Sequence, residues 1–271
     1  MSIKKKIAKM TGIRESMIPA GYQIIGNVLL LKFTKISLEK KEKIATALMK
    51  MLPYVKTVCE IKEVKGELRE PVINVIVGNG TVTTHKENDV LYKIDASKIM
   101  FSKGNLYERK RLLGQVKEGE SVVDMFAGIG YFSMPIAKFT KAKEIIAIEK
   151  NPTSYNFLTE NIQLNKISNV IALQGDCKIA ARTMKEKADR VLMGYFPNTE
   201  EFLPSAIWMA KSGCVIHFHN VYKESDLWSK PIETIQLICE KFQRSYEIMA
   251  KKKVKSYGPR KWHVVIDFKV K

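Results

Sequence analysis

The sequence has no Cys-x-x-C pair, no internal repeat, no low-complexity stretch and no long apolar run. Its four cysteines, Cys59, Cys177, Cys214 and Cys239, lie far apart. That spacing speaks against a disulfide framework and a Cys-based zinc site, and the four read as reduced thiols of an intracellular protein. The longest obvious apolar run, Val28 to Leu31, is a strand fragment, far short of the about 18 residues a membrane span needs. The start, Met1-Ser-Ile-Lys-Lys-Lys, is basic with no apolar segment behind it, so no secretory signal is read. A cytoplasmic protein with no membrane partner and no evident obligate protein partner is expected.

Acidic residues are also scarce. The 271 residues hold 28 Asp and Glu against 46 Lys and Arg, a net charge of +18. Residues 1–100 carry 18 basic and 10 acidic side chains, and residues 101–271 carry 28 and 18, so the excess is spread along the chain. A field of this sign favours polyanions, nucleic acid first, although a Lys-rich solvated surface produces the same count.

The hydrophobic pattern changes from about residue 117, and the chain is divided into residues 1–100 and 101–271. Residues 1–100 look like a small α+β domain, an RNA-binding or accessory unit. Ile24–Phe33 reads as a strand, and Ser37 as the N-cap of a helix to Leu52 with Ile44, Leu48, Met51 and Leu52 on one face. Gly78-Asn79-Gly80 between Pro71–Val77 and Thr81–Thr84 reads as a hairpin, and Asp89–Ile94 as a further strand. Residues 101–271 alternate strand and helix, after a joining helix beyond Gly104. Strands are expected over Ser121–Phe126, Glu144–Glu149, Asn169–Gln174, Asp189–Gly194 and Gly213–His219, with helices from near Tyr131, Pro152, Lys178 and Glu200. An amphipathic helix with Ile232, Ile235, Ile238 and Phe242 follows, then strands near Tyr246 and over Trp262–Phe268. This rhythm implies an α/β, Rossmann-like, doubly wound sheet.

In such a sheet, ligands bind beyond the carboxyl ends of the strands. The first end reads Asp124-Met-Phe-Ala-Gly128-Ile-Gly130-Tyr-Phe-Ser133. Gly128 and Gly130 permit a tight turn and close approach of a ligand. A nicotinamide dinucleotide fits less well than S-adenosyl-L-methionine. Ser133 replaces the third glycine of G-x-G-x-x-G, and Asp124 suits an amino group better than a pyrophosphate. Glu149, 19 residues past Gly130, stands near the about 20-residue offset at which a carboxylate reaches a ribose diol. Asp176, at the end of the third strand, is placed to accept from an adenine amino group. Singly, each acid is as readily a helix N-cap or a solvated loop residue. Together they point to S-adenosyl-L-methionine and to no metal. His217-x-His219 reads as packing and hydrogen bonding on one strand, without metal-ligand spacing elsewhere.

Asp124-Met-Phe-Ala-Gly-Ile-Gly with Glu149-Lys-Asn-Pro and Gly175-Asp resembles class I S-adenosylmethionine-dependent transferases. From about His85 to the closing Tyr257-Gly-Pro-Arg-Lys-Trp-His263-Val-Val, the chain is similar to the archaeal and eukaryotic enzymes that modify the purine 3′ of the tRNA anticodon. Residues 1–84 match them only loosely. One group of these enzymes methylates N1 of that guanosine. Its sister transfers the 3-amino-3-carboxypropyl group during wybutosine synthesis. Met100-Phe-Ser102-Lys-Gly104-Asn-Leu-Tyr-Glu108-Arg109 resembles the second group, and the methylases carry Arg at the position of Gly104. Gly194, in Met193-Gly-Tyr195-Phe196-Pro197, stands where the methylases place an Asn.

The resemblance implies cofactor contacts from Ser102, Arg109, Glu149, Asp176 and Cys177. Arg109 is suited to hold the methionine carboxylate bidentately. It also implies a pocket at Gly194, Tyr195, Phe196 and Pro197, with Glu108 as candidate base or, equally, a first-turn helix residue. The implied acceptor is C7 of 4-demethylwyosine in the tRNA for phenylalanine, with N1-methylation as the alternative. Two readings from further afield are a basic RNA-binding protein with a vestigial cofactor fold and a dinucleotide oxidoreductase. The RNA partner, through its anticodon stem-loop, is expected to meet Lys251, Lys252, Lys253, Lys255, Arg260 and Lys261, with Lys4–Lys6 and Lys40-Lys41 as lesser candidates. Phe101, Tyr131, Phe132, Tyr195 and Phe196 are candidates to stack on an unstacked base, against core packing as the ordinary role.

Overall fold

A computed structural model describes residues 1–66, 69–101 and 105–271. The chain divides into two compact units, Met1–Ser102 and Lys103–Lys271.

In the first unit, helix α1 (Ile3–Thr11) precedes strands β1 (Tyr22–Ile25) and β2 (Val28–Leu31). Helix α2 (Leu38–Met51) leads into β3 (Thr57–Lys65), β4 (Glu70–Gly78), β5 (Val82–Glu87) and β6 (Val90–Asp95). The Ser37 hydroxyl accepts from the Lys40 backbone N–H, so the expected cap is in place. Ile44 and Leu48 of α2 bury their side chains with Ile7, Leu29, Leu31 and Val58. The single strand expected over Ile24–Phe33 is instead a hairpin: the chain reverses at Gly26-Asn27, and β1 pairs antiparallel with β2.

The hairpin expected at Gly78-Asn79-Gly80 also needs correction. Strand β4 pairs with β3, a strand the sequence pattern did not reveal. The hairpin joins β5 to β6 instead, through Asn88 and Asp89, both at positive φ (46° and 63°). Asn and Asp tolerate this left-handed region better than most residues, and a tight two-residue turn needs it. The Gly78 triplet carries the chain from one sheet to the other. Gly78 has φ of 100°, and a Cβ there would lie 2.1 Å from the Lys56 carbonyl oxygen.

The second unit holds helix α3 (Leu106–Leu113), β7 (Ser121–Asp124), α4 (Ser133–Phe139), β8 (Glu144–Glu149), α5 (Pro152–Leu164), β9 (Val170–Gln174) and α6 (Cys177–Ala180). It continues through β10 (Ala188–Met193), α7 (Leu203–Met209), β11 (Ala210–Lys223), α8 (Ser229–Lys241), β12 (Tyr246–Gly258) and β13 (Lys261–Val270). The sheet order is β12-β13-β11-β10-β7-β8-β9. Strands β7 to β11 pair in parallel, whereas β13 is antiparallel to both β11 and β12. The expected doubly wound architecture is thus observed. Several boundaries differ: β11 is far longer than Gly213–His219, and the helix expected from Glu200 opens as a short 3-10 turn (Thr199–Phe202) before α7.

Register separates the sheet into two chemically different faces. Ile216, Phe218, Ile266, Phe268, Val191 and Val123 share the face that packs against α7 and α8, with Ile207 and Ile235. The opposite face carries Leu192 and Val122, packed with Leu112 of α3 and Ile136 of α4. It also carries Arg190, His217, His219, His263 and Asp267, all buried.

The close approach at Gly78 gives a direct check. Gly78→Ala is expected to destabilise by about 2 kcal/mol or more, from backbone strain plus collision. Gly80→Ala, at φ of 77° with no neighbour within 4 Å, is expected to cost about 1 kcal/mol, the left-handed penalty alone. Urea unfolding midpoints of the full chain distinguish the two; equal losses would contradict this reading of the crossover.

Candidate active site

The carboxyl ends of β7, β8 and β9 bring together the residues expected to bind a nucleoside. After β7, the chain turns sharply at Gly128 (φ 58°) and Gly130 (φ 96°) before α4. The Glu149 carboxylate, at the end of β8, accepts from the Gly128 N–H and from the Asn151 N–H, each at 2.7 Å. One carboxylate thereby ties the glycine loop to the start of α5. Burial raises the Glu149 pKa, and the backbone N–H donors of Asn151 and Gly128 work against that rise.

Asp176 is the N-cap of α6, accepting from the Lys178 N–H at 2.8 Å. Its other oxygen faces Lys150 Nζ at 3.4 Å. Cys177 is buried beside it, and burial pushes its thiol up to about 12.

Asp124 has no exposed surface. It accepts from the Ser133 hydroxyl at 2.7 Å and the Phe126 N–H at 3.3 Å. Burial pushes its carboxyl up to about 6, against the pull of those hydrogen bonds. These two bonds brace the glycine loop from its start at Phe126 to the first residue of α4.

Helix α3 presents two further expected residues, and neither is solvated. Arg109 is 4% exposed, with its guanidinium carbon 4.9 Å from the centroid of the Tyr131 ring. Glu108 is 1% exposed and both of its oxygens are bound by Arg111, Nε reaching Oε2 at 2.8 Å. Arg111 takes one lone pair on each oxygen, so Glu108 anchors α3 while keeping the remaining lone pairs through which a candidate base would act. Ser102, expected at the cofactor, and Gly104 lie outside the described residues.

Arg111 also binds Asp267 on β13, and from there a row of buried polar groups crosses the sheet. Asp267 contacts His217 Nδ1 at 2.6 Å, and His217 Nε2 meets Arg190 at 2.6 Å. Arg190 in turn holds Glu120 through two bonds of 2.7 and 2.9 Å. Because arginine only donates, His217 Nε2 accepts and Nδ1–H donates to Asp267, which assigns a neutral ring. Burial lowers the His217 pKa accordingly, against the pull of Asp267. Burial would raise Asp267, yet the hydrogen bonds from His217 and Arg111 hold it well below the usual carboxylate range. His219 lies 3.8 Å from Glu108 and 3.0 Å from His263, and burial pushes it down to about 3. His217 and His219 thus serve hydrogen bonding, as expected. Among the described residues, no group of three or more His, Cys, Asp or Glu could hold a metal ion.

The expected acceptor pocket is mixed in character. Gly194 is half-buried, and a Cβ there would meet the Phe132 ring at 2.8 Å. Tyr195 is half-buried and stacks on Phe126 at 5.1 Å, and Pro197 is exposed. Phe196 is buried and stacks on His263 with centroids 4.0 Å apart. Phe101 and Phe132 are buried as well, so these two pack and only Tyr131 and Tyr195 keep partly open rings. The Phe196–Pro197 peptide is cis.

The basic run expected to bind RNA lies on edge strand β12 and its turn. Pleating splits it. Lys252 and Lys255 pair with Val265 and His263, on the face of the buried polar row. Lys251 and Lys253 pair with Ile266 and Val264, on the other face, where they lie over the Trp228 and Trp262 rings at 5.9 and 4.7 Å. Arg260 and Lys261 are exposed at the turn. Lys41, one of the lesser candidates, is committed to Glu60 at 2.7 Å.

The glycine loop, the acid closing the next strand and the seven-strand order with one reversed strand define a class I S-adenosylmethionine-dependent transferase fold. The TRM5/TYW2 methyltransferase domain matches residues 83–249 and the TYW2 N-terminal domain residues 5–81, and the chain belongs to this family. It is 41% identical over 250 residues to a Methanocaldococcus jannaschii protein named tRNA(Phe) (4-demethylwyosine(37)-C(7)) aminocarboxypropyltransferase, covering 92% of this chain and 97% of that one. It is 34% identical to the tRNA (guanine(37)-N(1))-methyltransferase Trm5b of Pyrococcus abyssi, covering 93% and 76%. Among solved structures, Pyrococcus horikoshii TYW2 in complex with MeSAdo superposes with a TM-score of 0.86 at 39% identity, covering 99% of both chains. A complex of aTrm5 with tRNALeu superposes at 0.81 and 31% identity, covering 100% of this chain and 80% of that one.

The buried histidines set a pH dependence. A histidine depressed to about 3 takes up its proton in the unfolded chain from about pH 6.5 downward, but not in the folded one, so stability falls with pH across that window. His217, also lowered, acts in the same sense. Asp124, raised to about 6, binds its proton earlier when folded and offsets part of the loss between about pH 6 and 4. Unfolding midpoints are therefore expected to drop from pH 7 to 5, and to drop less in His219→Gln. An equally steep fall in that variant would contradict the assignment.

Proposed function

We propose that this chain transfers the 3-amino-3-carboxypropyl group of S-adenosyl-L-methionine to C7 of 4-demethylwyosine in tRNA(Phe). The observation that carries the reading is the 41% identity over 92% of the chain to a relative of that name. When bound, the donor supplies a carbon next to a sulfonium; a new carbon–carbon bond at C7 replaces the carbon–sulfur bond, 5′-methylthioadenosine leaves, and the ring carbon loses its proton.

The chain's own residues fit such a donor. The glycine loop offers backbone close to the ligand, where a side chain on Gly128 would strike Tyr131 at 2.8 Å. Glu149 is assigned to the ribose hydroxyls, using lone pairs beyond those taken by Gly128 and Asn151. Asp176 and Cys177 are assigned to the adenine end. The buried Arg109 is assigned to the methionine carboxylate, because a guanidinium fork matches a carboxylate and is worth most away from water, and Ser102 is assigned to the donor as well. Asp124 and Glu108 position the glycine loop and α3. Tyr195 and the space beside Gly194 are assigned to the acceptor base.

The partner proposed is the anticodon stem-loop, with the N-terminal unit as an accessory RNA-binding domain over about residues 1–100. The four buried free thiols support a reducing, cytoplasmic setting.

With tRNA bearing 4-demethylwyosine, the modified nucleoside is expected to gain the mass of the four-carbon amino acid group; gain of a single methyl on that base would contradict the proposal, and the N1-methylating reading instead requires methyl transfer to tRNA carrying unmodified guanosine at that position. Lys252 and Lys255 share the face of the polar row, so replacing both with Ala is expected to weaken tRNA binding. The salt slope is expected to fall by about one unit for each phosphate that is no longer neutralised. The pair Lys251→Ala and Lys253→Ala is expected to do less. Equal effects of the two pairs would contradict the division of the strand.

A further inference from the structure

Tyr131 takes no part in making or breaking a bond, yet it touches both ends of the proposed donor site. Its ring lies against the glycine loop, close enough that a Cβ on Gly128 would be 2.8 Å from its Cε2 and 2.9 Å from its Cδ2. Its ring also carries the Arg109 guanidinium, 4.9 Å from the centroid. The same Gly128 donates its N–H to Glu149 at 2.7 Å. A continuous line of contacts thus runs from Glu149 through Gly128 and Tyr131 to Arg109. One end is a carboxylate suited to ribose hydroxyls, and the other a guanidinium suited to a carboxylate.

We infer that Tyr131 is a positioning residue: it seats the Arg109 guanidinium over the glycine loop and so fixes where the amino-acid end of the donor is held relative to its nucleoside end. The inference rests on the reading of Arg109 as the carboxylate partner. The physical basis is that an arginine side chain has several rotatable bonds and loses much freedom when ordered. An aromatic face attracts the cation and restricts it, so that its donors are ordered before the ligand arrives. In this reaction the outcome depends on which carbon beside the sulfur faces the acceptor. A fixed spacing between the two anchors therefore bears on which group is transferred, as well as on affinity.

The two ends can be probed separately with two ligands. S-adenosylmethionine has both the nucleoside and the amino-acid group, and 5′-methylthioadenosine has only the first. Calorimetry on the full chain is expected to show Tyr131→Met weakening S-adenosylmethionine about five- to tenfold, the scale of a desolvated cation–π contact. Methylthioadenosine affinity is expected to stay within about twofold by the same reasoning. Tyr131→Phe keeps the ring face and is expected to bind both ligands as the native protein does. Tyr131→Leu serves as a second apolar variant if the Met variant fails to fold.

Equal weakening of both ligands would make Tyr131 a wall of the nucleoside pocket and overturn the inference; so would no weakening of either. Arg109→Ala, measured alongside, separates this from the underlying reading. If it weakens both ligands equally, the carboxylate assignment itself fails. If it weakens S-adenosylmethionine alone while the Tyr131 variants change nothing, only the positioning role falls.

Discussion

Arg111 is the residue on which the site's geometry turns. Its guanidinium, on α3, binds Glu108 of the same helix and Asp267 of β13. That clamp ties the helix carrying Arg109 to the reversed strand of the sheet. The row behind it, His217, Arg190 and Glu120, continues the same hydrogen bonding toward β7. With His217 neutral, the row contains three carboxylates and two guanidiniums. Buried ions are tolerated only when paired and hydrogen-bonded, and breaking such a pair costs on the order of 3–5 kcal/mol. The row therefore admits few alternative arrangements, which fixes the helix on which the buried Arg109 stands.

The two faces of the sheet divide the labour. The face against α7 and α8 is apolar, built from Ile216, Phe218, Ile266 and Phe268, and it supplies cohesion by burying apolar surface. The other face supplies direction, because hydrogen bonds and ion pairs have preferred geometries and apolar contacts do not. At its carboxyl edge the backbone takes over: Glu149 binds two N–H groups, and Asp124 holds the loop from beneath. Charge has a different part. The excess of +18 supplies salt-dependent attraction to RNA without reading any base. In the function proposed, choice of base is assigned to Tyr195 and to the space at Gly194.

Much of the sheet unit was legible in the sequence. Regular alternation of strand and helix, and acids ending successive strands, carry a strong signal because each strand is a short run of Val, Ile and Leu closed by a polar turn. The N-terminal unit was less legible. Gly78-Asn79-Gly80 has the composition of a hairpin, but its local preference for a turn was satisfied in a crossover between sheets, while the hairpin formed at Asn88-Asp89. The polar row was the larger omission. Arg190, His217, Asp267 and Arg111 are separated by long stretches of sequence, and only register brings them together. One signal was present: a strand reading Ala-Asp-Arg190-Val-Leu-Met places a cation among core residues, where it needs a buried partner. Glu108 shows the converse limit: its i,i+3 spacing to Arg111 is visible in the sequence, but its burial depends on packing that no local pattern specifies. The Lys251–Lys255 run likewise read as one patch until the pleat of β12 divided it.

The central claim is that the amino-acid end of the donor, not its methyl, is what moves. The nucleoside released during turnover on tRNA reports this most directly, because the two transfers leave different remnants. Chromatography of the spent reaction is expected to show 5′-methylthioadenosine accumulating in step with modified tRNA. S-adenosylhomocysteine in its place, in amounts matching the modified tRNA, would contradict the claim.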